Sequence, residues 1–261
     1  MTKILCEISY DGTRFSGYQI QPRVRTVQGE LEKALMKIHK GTHIEIHGSG
    51  RTDKGVHAKA QMAHFESPYN LTPTEWKRAI NSLMPSDIHV NETAEVPDAF
   101  HARFDVIEKE YRYYIYNERE KDVFKQNYVY QFPFALDIRA MQQAGKQFVG
   151  SHDFTTFSSA KAAVKGSKVR TLYEVSCHRD GSQIEIVLRG DGFLYNMVRI
   201  IAGTLLEVGR SKMEPGDIDC LFAKKDRQLA GDTLPPQGLY LWNVRYNEKI
   251  IGDKMNTVLP R

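Results

Sequence analysis

Ile4, Cys6, Ile8 and Tyr10 alternate with polar neighbours, which predicts a half-buried strand, and Asp11-Gly12 supplies the turn that ends it. The period then lengthens. Leu31, Ala34, Leu35 and Ile38 recur at helical spacing, Thr26 can cap that helix, and Gly41 stops it. A short strand is expected around Ile44 and Ile46, followed by the loop Gly48-Ser49-Gly50 and a strand from about Gln61 to Phe65. Thr72-Pro73-Thr74-Glu75 is a capping box with proline at the first helical position. Its helix carries Trp76, Ile80 and Leu83 and ends at Pro85, and residues 87–96 return as a strand.

The second half opens with a tyrosine-rich strand, Val106 to Tyr116. A helix from about Asp137 to Val149 places Ile138, Met141, Ala144 and Phe148 on one side. Strands near Val169–Arg179 and Gln183–Leu188 are joined by the tight turn Asp180-Gly181. Helices from Tyr195 to Val208 and Asp217 to Lys224 follow, then a last strand from Gly238 to Tyr246. Each half mixes strands with about two helices, and the hairpins predict an α+β fold with largely antiparallel pairing. No internal repeat is visible at the level of identities, and no Pro/Gly/Ser-rich linker divides the halves. The expected organisation is an α+β domain over 1–105, a second over 106–247 and a loose tail over 248–261, with the two halves sharing one sheet.

Composition narrows the class only slightly. With 261 residues, 41% hydrophobic and 26% charged, the chain is an ordinary globular one with enough apolar residues for a sizeable core. A formal net charge of +4 and a pI near 8.8 suit an RNA partner without demanding one. Glu7 interrupts the first apolar run too early for a signal peptide, and no segment approaches the ~20 apolar residues of a membrane span. Cys6, Cys177 and Cys220 are scattered and odd in number, which points to reduced thiols in a cytoplasmic protein rather than to a disulfide framework.

Three constellations carry chemistry. The densest is Gly48-Ser49-Gly50-Arg51-Thr52-Asp53-Lys54-Gly55-Val56-His57, in which glycines permit sharp turns and Arg51 can contact phosphate or stack on a base. A carboxylate among cations stays ionised and can act as nucleophile or base, so Asp53 is the candidate; the same pattern also describes an ordinary solvated turn. In Lys109-Glu110-Tyr111-Arg112-Tyr113-Tyr114, a strand directs Tyr111 and Tyr113 one way and Arg112 and Tyr114 the other. That arrangement suits base stacking beside phosphate contacts, and equally a packed aromatic strand. In the third, Arg189 to Arg199, the last arginine lies inside an apolar helix start; it either snorkels to solvent or meets a buried anion. Arg23, Arg25, Lys161, Lys165, Lys168 and Arg170 form basic stretches that are either solvated faces or contacts for an RNA backbone. His39, His43 and His47 have the spacing of helical metal ligands, but Gly41 breaks the helix between the first two, so no metal site is expected. His57 and His152 fit structural roles as well as RNA contacts.

Along nearly its whole length the chain resembles the bacterial tRNA pseudouridine synthase A (TruA) family. The resemblance rests on Tyr10 to Gln19, Gly50 to Ala58, Lys109 to Tyr113, Gly192 to Gly203 and Pro236 to Tyr240, in that order. Tyr18 stands where the family commonly has tryptophan, and Lys54 where it has alanine. The resemblance implies the pseudouridine synthase fold, two related α/β domains with a central antiparallel sheet, assembled as a homodimer. It implies a cytoplasmic isomerase that acts at positions 38, 39 and 40 of the tRNA anticodon stem-loop. It further implies Asp53 as nucleophile, Arg199 pairing with it, Tyr111 packing on the flipped uracil, Arg51 filling the space left in the RNA, and Leu239 lining the uracil pocket. The reaction breaks N1–C1′, turns the uracil and forms C5–C1′. It is redox-neutral without net hydrolysis, so no cofactor is required. Asp53 can attack C1′, attack the ring or act as a base at C2′.

Two other functions are weighed by the same residues. Ile8-Ser9-Tyr10-Asp11-Gly12-Thr13 is superficially like the Asp-x-Asp-Gly-Thr motif of haloacid-dehalogenase-type phosphatases, but Ser9 stands at the nucleophile, so that chemistry fails at its first step. A non-catalytic RNA-binding protein would place a carboxylate such as Asp53 poorly, since it repels phosphate.

Overall fold

The computed structural model describes residues 1–159 and 166–251. The chain forms two compact units, one from Met1–Ile107 with the chain from Leu241 onward, the other from Glu108–Tyr240. No helix among the described residues is long and apolar enough to cross a membrane.

The first unit contains β1 (Thr2–Tyr10), α1 (Val27–Ile38), β2 (His47–Gly48), β3 (His57–Ser67), α2 (Pro73–Asn81) and β4 (Ile88–Val96). β1 lies between β4 and β3 and is antiparallel to both, in a register that pairs Ile4 with Phe65 and Cys6 with Ala63. Ile4, Cys6 and Ile8 therefore point to one face, and Phe65 on that face meets the fully buried Trp76 of α2 edge-on at 5.1 Å. Both predicted N-caps form: Thr26 accepts from the Gly29 amide at 3.2 Å, and Thr72 and Glu75 close the capping box. Leu31, Ala34 and Leu35 make the buried stripe of α1, worth roughly 1.5–3 kcal/mol for each leucine taken out of water.

The strand expected at Ile44 and Ile46 shrinks to His47–Gly48. The Ile46 backbone is taken by helix side chains instead, with Gln28 Nε2 donating to its carbonyl at 3.3 Å and Glu32 accepting from its amide. β3 is longer than expected at both ends, and α2 stops at Asn81, leaving Leu83 outside the helix and 39% exposed.

The second unit contains β5 (Val106–Tyr116), β6 (Tyr130–Gln131), α3 (Ile138–Gln147), β7 (Gly150–Asp153), β8 (Val169–Asp180), β9 (Gln183–Gly190), α4 (Met197–Gly209) and α5 (Asp217–Lys224). The strand order is β5-β9-β8-β7, antiparallel throughout, and the short β6 pairs with β5 in parallel. Pairing is thus mainly antiparallel, as the α+β class requires. α3 packs on β8 and on α4, whose residues are nearly all buried. Phe148, Phe154, Phe157 and Phe222 form an aromatic cluster beside α5. α4 starts two residues later than its apolar pattern suggests, because Asn196 takes a left-handed φ of 61°.

The last elements among the described residues are β10 (Leu239–Tyr246), next to β3 in strand order, and α6 (Glu248–Ile251). From Leu241 onward it belongs to the first unit, whereas the sequence pattern grouped 106–247 as one domain. Adjacency of β10 to β3 is a long-range pairing that no local pattern encodes. The tail expected from 248 begins as a helical turn whose Ile251 is buried; residues 252–261 lie outside the described residues, as do Lys161 and Lys165.

Candidate active site

In the first unit Asp53 sits half-buried on the loop between β2 and β3, with Arg51 and Lys54 exposed on either side of it. That loop is held by the end of β1, by the segment after it, by β3 and by a turn of its own. Gln61, fully buried, accepts from Ser49 Oγ at 2.6 Å and donates to the Gly50 carbonyl at 2.9 Å. Tyr10 Oη and Thr52 Oγ1 are 2.8 Å apart and buried. The Tyr18 amide donates to the Thr52 carbonyl at 3.0 Å, and the Gly55 amide to the Phe15 carbonyl at 3.3 Å. The Val56 amide closes a turn onto the Asp53 carbonyl at 3.1 Å. Gly17 takes φ +100°, and a Cβ there would lie 2.8 Å from the Thr52 carbonyl oxygen, so only glycine lets these backbones approach.

His57, at the loop's end, is a structural histidine: its Nδ1 accepts from the Gly12 amide at 3.0 Å and it is 2% exposed. His39 is another, buried with one ring nitrogen on the Leu35 carbonyl and the other on Ser67 Oγ. His43 pairs with Glu32 at 2.9 Å, His47 stacks on His64, and His152 stacks on Phe222 at 4.5 Å. Arg25, one of the basic candidates, forms a fork on Asp87, both bonds 2.8 Å, which holds that carboxyl below its usual range.

In the second unit Tyr111, Tyr113 and Ile115 point into the core while Glu110, Arg112 and Tyr114 occupy the other face of β5. Arg112 is clamped between Glu110 at 2.7 Å and Glu185 at 3.0 Å, and Tyr114 Oη donates to Glu185 at 2.8 Å. Carboxylate partners thus occupy the arginine of the tyrosine motif. Tyr111 is buried and meets Phe193 edge-on at 5.0 Å. Tyr113 Oη donates to the Pro235 carbonyl at 2.7 Å; burial raises its pKa strongly, and the neighbouring Arg199 guanidinium opposes that rise.

Arg199, on the first turn of α4, is half-buried; its Nε donates to the Leu234 carbonyl at 2.6 Å and its Nη1 to Asn196 Oδ1 at 3.1 Å. Leu239 is buried at the start of β10, after Gly238, which lies against Tyr113 and Tyr114. The loop carrying Leu234 can reach α4 because Gly203 faces the Asp232 carbonyl with no room for a Cβ, and Thr204 Oγ1 accepts from the Gly231 amide at 3.0 Å.

A model of the family described as tRNA pseudouridine synthase matches residues 8–105 and 144–247, which include Asp53, Phe193, Arg199 and Leu239. The chain belongs to the tRNA pseudouridine synthase family. Among its relatives, a tRNA pseudouridine synthase A of Oceanobacillus iheyensis is 53% identical over 95% of this chain and 98% of its own length. Proteins of the same name from Geobacillus kaustophilus and Bacillus subtilis are 50% and 48% identical, over 95% and 94% of this chain and 96% and 99% of their own. A tRNA pseudouridine synthase is an isomerase that converts uridine to pseudouridine in tRNA. The sequence reading assigned Tyr10, Thr52, Gln61, Asn196 and Leu234 no part in holding or orienting the site. Of these only Asn196 left a local signal, an Asx residue directly before an apolar helix, which reads as an ordinary N-cap.

Proposed function

We propose that this synthase isomerises uridines 38, 39 and 40 in the anticodon stem-loop of tRNA, with Asp53 as the nucleophile. What carries the reading is a half-buried carboxylate on a loop braced by backbone and buried side-chain bonds, in a chain matched by the family over both halves. A stem base must leave its stack before chemistry, at a cost of a few kcal/mol that backbone contacts offset. Arg51, exposed beside Asp53, contacts the RNA and fills the vacated space. Tyr111 packs on the uracil, Leu239 lines its pocket, and Arg199 pairs with Asp53 and keeps it ionised. The enzyme works in the cytoplasm as a homodimer in which one subunit orients the tRNA for the other. The names and near-complete coverage of the relatives support this substrate class.

The test uses unmodified tRNA labelled with tritium at uridine C5, because C5 loses its hydrogen when the C5–C1′ bond forms. Wild type releases label and Asp53→Asn does not, while tRNA binding is retained. Absence of release from wild type across a range of tRNAs would leave a binding protein and overturn the assignment.

A further inference from the structure

Asn196 is the residue before α4, and its backbone lies in the left-handed region at φ 61°, ψ 3°. Asparagine tolerates that region better than most residues, yet it is not the usual N-cap conformation, which is extended. An N-cap asparagine ordinarily turns its side-chain oxygen onto an amide of the first helical turn, and here no such bond forms. The amide of Met197 donates to the Leu194 carbonyl, and the Asn196 carbonyl still accepts the first helical bond from Ile200. The side-chain oxygen, released from capping, accepts from Arg199 Nη1 at 3.1 Å. The Leu234 carbonyl takes the guanidinium from its Nε edge, at 2.6 Å. Two acceptors on different edges of a planar group fix both its position and its rotation.

We propose that Asn196 is a positioning residue of the synthase, orienting the Arg199 guanidinium through its side-chain oxygen. The inference rests on the reading that Arg199 acts at the reacting site. Its left-handed backbone is what directs that oxygen across the first turn toward residue 199 rather than down onto the helix amides. The Leu234 carbonyl holds the Nε edge and the Asn196 oxygen holds the Nη1 edge, so the group is oriented before substrate arrives and less ordering is needed at the moment of reaction.

Glycine separates this role from a backbone role, since Asn196→Gly keeps the left-handed turn at no steric cost and removes only the acceptor. Asn196→Asp keeps an oxygen at the same place. Tritium release is measured under saturating tRNA for wild type, both variants and Arg199→Ala, with kcat and KM separated, across pH, alongside thermal unfolding. Asn196→Gly is expected to unfold within a few degrees of wild type, to keep its KM, and to lose roughly ten- to a hundredfold in kcat, the effect of a hydrogen bond to a charged group. The acidic limb of its kcat profile moves to higher pH, because a displaced cation supports the ionised carboxylate less well. Asn196→Asp recovers most of kcat. A glycine variant with wild-type kcat and an unmoved acidic limb, or an aspartate variant no better than glycine, overturns the proposal. If Arg199→Ala itself turns over like wild type, the reading beneath it fails instead.

Discussion

His64 makes the stability of the first unit depend on pH in a way that can be isolated. It lies on β3, 3% exposed, with its Nδ1 accepting from the Ala102 amide at 3.2 Å. Its ring centre is 5.1 Å from that of His47 and 4.8 Å from that of His101. Burial is the largest influence, followed by His101, His47 and Lys3, and Asp105 opposes them; together they lower the pKa from 6.5 to about 4. His101 is displaced in the same direction, first by its own burial. The sign follows from which state takes up the proton. The unfolded chain binds it near pH 6.5 and the folded chain only near 4, so stability is full above 6.5 and falls as pH drops through that window. At about 1.4 kcal/mol for each pKa unit, the window is worth about 3–4 kcal/mol. His64→Asn keeps an acceptor near Nδ1 and cannot titrate there, at some cost in packing at neutral pH. Urea unfolding of both proteins at pH 7 and pH 4.5 should show wild type losing about 2–3 kcal/mol more than the variant. Equal losses in the two proteins would refute the burial argument, whatever their absolute stabilities.

Two further predictions concern the segment that braces Asp53. Tyr18 is 2% exposed and its hydroxyl has no hydrogen-bond partner among the described residues, so Tyr18→Phe should stabilise the fold by about 1–3 kcal/mol, the penalty of an unsatisfied buried group. A lower Tm in the variant would show that the hydroxyl is satisfied. Gly17→Ala meets both the φ of +100° and the Thr52 carbonyl, so it should cost about 1–2 kcal/mol in the left-handed backbone alone and reduce tritium release by displacing the Asp53 loop. Lost stability with wild-type kcat would sever the link between that glycine and the loop.

What was legible in the sequence was whatever depends on near neighbours. The Thr26 and Thr72 caps, the span of β5, the Asp180-Gly181 hairpin and α5 stand as read, because each is set by side chains within a few residues. The misread strand at Ile46 and the unforeseen partner of β10 share one cause. In each, the backbone is satisfied by a distant element, Gln28 and Glu32 of α1 in one case and β3 in the other. The groups proposed to react were legible for a different reason. Asp53 and Arg199 are conspicuous wherever they occur, a carboxylate among glycines and a cation among aliphatic residues.

The groups that aim them are not conspicuous, and physics explains why. Placing a carboxylate requires fixing its backbone, and a backbone is fixed by amides, carbonyls, a tyrosine hydroxyl or the lack of a Cβ, none of which is unusual in composition. Tyr10 and Thr52 are 42 positions apart, and Arg199 and Leu234 are 35 apart, so neither contact has a local period to betray it. It follows that the segment Tyr10 to Gln19 and the segment Gly50 to Ala58, which read as separate motifs, are one physical object. The Gly17 backbone passes where a side chain would strike Thr52, and the Gly12 backbone passes where one would strike Val56. A change of shape in either segment must then be matched in the other, and the carboxylate between them keeps its place only while both hold.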